Sequence, residues 1–167
     1  MRRWTRGAVL LAAGVLVAAT AAPAATETVE RTDARRDAPA SIDIATATYT
    51  HTRAHVRVVA RIPELGGAGS ASLSISRFGI FEAGYVVQIK KRAGRPARTR
   101  LLFFNHFDLE PRRCADLTGA WGRGRVVLSV ARSCLSGHAE ERVFAQFGIQ
   151  RGAEIDRARA VKRLDRA

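Results

Sequence analysis

Residues 54–62 read AHVRVVARI, in which Val56, Val58, Ala60 and Ile62 fall on one side of an extended chain while His55, Arg57 and Arg61 fall on the other. Successive side chains of a strand point to opposite faces, so this stretch is a strand with one apolar and one wet face. The same signature returns in residues 125–131, RVVLSVA, where Val126, Leu128 and Val130 share a face, and in residues 141–149, where Val143, Ala145, Phe147 and Ile149 do. Segments of this kind must bury their apolar faces against one another, which selects an antiparallel β-sandwich.

Outward from these segments the pattern continues. Residues 41–49 alternate through Ile42 and Ile44, and residues 71–77 set Leu73 and Ile75 against Ser72, Ser74 and Ser76. Residues 84–91 and 99–106 flank a turn, 92–98, that contains Gly94 and Pro96 and reads as a hairpin. Pro63 with Gly66, Gly67 and Gly69 closes the second strand, and Gly122 and Gly124 punctuate the approach to residue 125. Seven to nine strands with no convincing internal helix give an all-β, jelly-roll or Greek-key sandwich over residues 41–150. An immunoglobulin pattern fits poorly, because the two cysteines are too close together and Trp121 falls between them.

The flanks differ from this domain. Residues 1–24 comprise a basic cap (Arg2, Arg3, Arg6), an apolar run and Ala22-Pro23-Ala24, the three parts of a signal peptide expected to be cut after Ala24. The run is shorter than the roughly 20 residues that span a bilayer, and no later segment approaches that length. Residues 25–40 are mixed in charge and poor in large apolar groups, which predicts a flexible linker. Residues 151–167 hold six basic and three acidic residues around a weak helical stripe of Ile155, Val161 and Leu164, which predicts a frayed basic tail or short surface helix.

The 167-residue chain has a formal net charge of +13, and losing the leader leaves 25 minus 15, or +10. Arg outnumbers Lys by 25 to 3. Such a bias follows from GC-rich coding alone, so the charge speaks to attraction for polyanions rather than to a specific nucleic-acid partner. Two cysteines, Cys114 and Cys134, in an exported chain predict a disulfide. A Cys2His2 zinc site with His106 and His138 is the weaker alternative, since the spacings fit no usual zinc pattern.

The residues around these cysteines carry a resemblance. Cys114-Ala115-Asp116-Leu117, the Trp121 turn, and VVLSVARSCL from Val126 to Leu135 followed by a strand near Arg142 resemble a group of exported actinobacterial proteins of unassigned function. Ala131 stands where that group usually has Pro, and Ile42-Asp43-Ile44 and Ile62-Pro63-Glu64-Leu65 fit it loosely. The resemblance covers residues 41–149 and implies a small β-sandwich; it carries over no catalytic residue.

Catalytic motifs are lacking: there is no nucleophile elbow, His-Glu-x-x-His helix, phosphate loop or dinucleotide fingerprint. His51 and His55 read as solvated edge residues rather than metal ligands. Asp108 and Glu110 could point the same way as a carboxylate pair or calcium ligands, but beside Arg112 and Arg113 they read as a salt-bridged turn. No catalytic residue, metal or cofactor is expected.

The strongest candidate surface is KKRAGRPARTR, residues 90–100, with six cations and no acid in eleven residues: Lys90, Lys91, Arg92, Arg95, Arg98 and Arg100. At a hairpin tip these would attract an anionic cell-wall polymer or lipid surface through charge-assisted hydrogen bonds. Trp121 is a candidate sugar-stacking platform, or else a cover for the disulfide. The expected protein is therefore a monomeric, non-catalytic binding module, secreted or associated with the cell envelope. A carbohydrate-binding or carbohydrate-active domain is the alternative.

Overall fold

The computed structural model of the chain describes residues 27–77, 83–139 and 141–166; the leader and its cleavage point lie outside them. In chain order the strands are β1 (Glu27–Thr32), β2 (Thr46–His51), β3 (His55–Arg61), β4 (Gly69–Arg77), β5 (Ala83–Lys91) and β6 (Arg98–Asn105), then β7 (Asp108–Arg112), β8 (Leu117–Gly122), β9 (Arg125–Ala131), β10 (Arg142–Arg151), β11 (Glu154–Arg157) and β12 (Val161–Asp165). They form two antiparallel sheets packed face to face. The first has the order β1-β2-β3-β9-β8, and the second has the order β11-β10-β4-β5-β6-β7, with β12 also pairing β10.

The segment AHVRVVARI is the middle of the first sheet. Val56, Val58, Ala60 and Ile62 are fully buried, and β9 pairs with β3 so that Val58 lies opposite Leu128 and Val56 opposite Val130. Leu73, Ile75, Val87, Ile89, Phe147 and Ile149 supply the facing layer. Burying a side chain of this size is worth about 1.5–3 kcal/mol. Tyr49 crosses the core: the Phe147 backbone N–H donates to its phenol oxygen at 2.9 Å. This contact falls where β10 passes from β11, paired at residues 148–151, to β12, paired at residues 142–145. Burial pushes the phenol up to about 12, against a partial counter-effect of that hydrogen bond.

Cys114 and Cys134 form a disulfide with a Cα separation of 5.6 Å. It ties the β7–β8 connection to the 3-10 turn Arg132–Cys134 that follows β9, and a loop of this length stabilises a fold by about 3 kcal/mol in the chain-entropy picture. Both cysteines are thereby unavailable to a zinc ion.

The flanks are more ordered than their composition suggests. Residues 27–32, expected to be linker, make edge strand β1. Val29 is its only apolar side chain facing in, but the full ladder with β2 is formed and Thr48 Oγ1 donates to Glu30 at 3.0 Å. Residues 151–167, expected to be a frayed tail or short helix, instead supply β11 and β12, with Ala158, Val161 and Leu164 buried. Val161 and Leu164 are three apart yet face the same way because the β10–β12 register shifts between Val143 and Ala145. A bulge thus produces a spacing that reads as helical. Ile42 and Ile44 are buried as expected, but ahead of the strand, which begins only at Thr46. With these additions the described residues contain twelve strands rather than seven to nine, and the sandwich runs from 27 to 166 rather than from 41 to 150.

Candidate functional site

Strand β5 runs into the turn and returns as β6 with Lys90 opposite Arg98, Gln88 opposite Arg100 and Ile89 opposite Thr99. Ile89 points into the core, so Gln88 and Lys90, one residue to either side, point to the outer face with their partners Arg98 and Arg100. The turn closes with the Arg95 N–H donating to the Arg92 carbonyl at 3.1 Å and with Gly94 at φ +66, a left-handed conformation that glycine takes without steric cost.

This geometry gathers the cations into a cleft of about 460 Å³, lined by Lys90, Arg92, Arg95, Arg98 and Arg100 together with Gln88, Pro96 and Thr99. Among the described residues no carboxylate lines it. Arg100 is fixed by its Nε donating to Gln88 Oε1 at 2.8 Å. Lys91, the sixth cation of the run, lies on the opposite side of the strand and gives its amine to the Arg95 carbonyl, so it braces the turn instead of lining the cleft. Five guanidinium or ammonium groups around one concavity present more donors than any one small anion can take.

Trp121 lies at the end of β8 away from the disulfide. Its indole N–H donates to the Gly66 carbonyl at 2.8 Å, and a Cβ at Gly69 would lie 3.0 Å from the ring. It therefore seals the glycine loop rather than covering the disulfide, and its ring is half-buried.

The histidines and acids also settle differently from their sequence reading. His51 is fully buried, with Nδ1 3.1 Å from the Leu164 carbonyl. Burial holds its imidazole below the usual value, with Arg132 and Arg166 adding to the effect and the Leu164 carbonyl opposing it. His55 is on the outer face of a central strand, not an edge, and its Nε2 meets Asp116 Oδ2 at 2.7 Å. Asp108 and Glu110 stand on strand β7 rather than on a loop, and Glu110 is paired with Arg112 at 2.7 Å. His106 occupies the β6–β7 turn at φ 55, while His138 packs against Tyr85 and Phe103.

One grouping had no counterpart in the sequence reading. Asp37, Asp43 and Asp156 bring carboxylate oxygens within 4.8 Å of one another, an all-oxygen set of the kind hard divalent cations take. Asp156 is buried and accepts from the Ile44 N–H at 2.8 Å, and the Arg36 N–H donates to Asp43. Burial raises the Asp156 carboxyl above its ordinary value, with Asp37 and Asp43 adding to it while the Ile44 and Arg157 N–H groups oppose. Asp156 lies more than a hundred residues from the other two, so only the β10–β11 hairpin assembles the group.

No protein-family model, curated protein or solved structure matches this chain.

Proposed function

We propose that this protein is a non-catalytic exported module of the cell envelope, held to anionic surface polymers by the β5–β6 hairpin. The observation that carries the reading is the convergence of Lys90, Arg92, Arg95, Arg98 and Arg100 on one cleft that no carboxylate of the described residues lines. Like charges repel one another, so five cations in one concavity work against folding unless a polyanion offsets them. The leader-like N-terminus and the resemblance to exported actinobacterial proteins supply the compartment. The competing glycan-platform reading loses support because the Trp121 indole is committed to Gly66 and Gly69.

The test is retention of residues 25–167 on purified cell wall across a salt gradient. Retention should fall steeply with salt, and Lys90→Glu/Arg95→Glu/Arg98→Glu should abolish it. Trp121→Ala should leave binding intact. Retention that ignores salt and the triple variant but vanishes in Trp121→Ala would replace this reading with the neutral-glycan one.

A further inference from the structure

The cationic cleft does not end at the hairpin; it opens onto the outer face of the second sheet. The pairing registers define two rows across that face. In one, Arg157 of β11 stands beside Gly148 of β10, then Ser72 of β4, Gln88 of β5 and Arg100 of β6. In the next, Ile155, Gln150, Ser70, Lys90 and Arg98 follow in the same strand order. Arg157 lies over this face, because a Cβ at Gly148 would sit 3.5 Å from its Cγ. Its neighbour Asp156 is turned into the core and is buried.

These rows make a shallow trough. Its floor is Gly148, Ser70 and Ser72, which have little or no side-chain bulk, with Gln150 beside Ser70, its Nε2 donating to the Gly152 carbonyl at 2.9 Å. One wall is Lys90, Arg98 and Arg100, and the other is Arg157 with Ile155. Neither row contains a carboxylate or an aromatic ring. From Arg100 to Arg157 there are four interstrand steps at ~4.8 Å, or roughly 19 Å. Lys90, the nearer cation of the first wall, is three such steps from the Arg157 strand, or roughly 14 Å; a linear polyanion can engage both walls at once, and joining two weak contacts in one molecule raises affinity without any new kind of contact. Between the walls the ligand would meet serine hydroxyls and glutamine amides, which donate and accept and so match alcohol groups. Bases stack on rings, and this floor has none.

Resting on the hairpin reading above, we infer that the ligand is a linear anionic polymer of hydroxyl-bearing units, a uronate or phosphate-linked glycan, lying across β6, β5, β4, β10 and β11. The hairpin holds one anionic unit, the Ser70–Ser72 floor seats the intervening sugar or polyol, and Arg157 holds a second anionic unit.

The experiment measures binding of residues 25–167 to galacturonate, polygalacturonate and poly(glycerol phosphate), with duplex DNA and phosphatidylglycerol vesicles as further probes. The expected result is that at least one of the two polymers binds far more tightly per site than the monomer. Arg157→Glu and Ser72→Asp should each cut that advantage roughly tenfold or more. Which polymer responds tells uronate from phosphate. Both substitutions are on the outer face, and unchanged circular dichroism and thermal midpoint identify them as folded; Ser70→Asp serves if Ser72→Asp does not fold. Polymer binding that is indifferent to Arg157→Glu and to the floor variants overturns the trough but leaves the hairpin reading standing. So does binding confined to DNA or vesicles. Absence of salt-sensitive binding to every polyanion overturns both.

Discussion

Asp33 is a side chain at odds with its surroundings. Its Oδ2 is buried and has no hydrogen-bond partner, and its carboxyl is held above the ordinary value by burial first and by Asp156 next, with Asp37 and Asp43 adding to it and the Ala34 N–H opposing. A carboxyl whose folded value exceeds its unfolded value is less favourably ionised in the fold. Stability is therefore withheld at neutral pH and returns as pH falls through the raised folded value toward 3.8. Asp33→Asn removes the charge while keeping the shape. In buffer with a chelator, so that no divalent cation neutralises the acids, calorimetry should show its thermal midpoint above the parent's at neutral pH. The gain should vanish as the parent carboxyl protonates in acid. An unchanged or lower midpoint at neutral pH would mean that the carboxylate is compensated in solution.

At the scale of elements, β8 shows how a strand joins the sandwich by having no side chain at one position. A Cβ at Gly119 would fall 2.2 Å from Thr99 Oγ1 and 3.1 Å from Ile89 Cδ1, so the first sheet closes over β5 and β6 only because Gly119 leaves that space. Gly119→Ala should cost about 1–3 kcal/mol by overpacking, read from the urea midpoint, and Thr99→Ala should recover part of it in a double-mutant cycle. Additive losses would show that the two strands do not press on each other there.

Strands such as β3 and β9 were legible because each alternates on one sheet and carries its own burial pattern. β1 was not, since its stability comes from a ladder with β2 and not from its composition. β12 was hidden by its bulge. The hairpin cations were legible as a run, and the hairpin pairing could separate Lys91 from the rest only once strand direction was fixed. Gly148, Ser70 and Ser72 give no local signal, because what matters is the register that sets them side by side with Arg157.

For the whole molecule, the terminal strands belong to the core rather than decorate it. The Leu164 carbonyl meets His51, Asp156 accepts from Ile44, and β12 packs against both β1 and β2. A fragment of residues 41–150, the span whose composition alone suggests a domain, would lose the partners of His51 and Ile44 and uncover Tyr49 at the β10 edge. Buried polar groups without partners cost about 1–3 kcal/mol each, a large share of the stability of a domain this size. The fragment should keep far-UV circular dichroism of a β protein but lose the near-UV bands and bind a hydrophobic dye, while residues 25–167 unfold in one cooperative step. A fragment with native near-UV spectra would show that the sandwich closes without β1, β11 and β12. The Arg157 wall of the trough would then be an appendage to the sandwich, whereas loss of the fold makes that wall inseparable from the core.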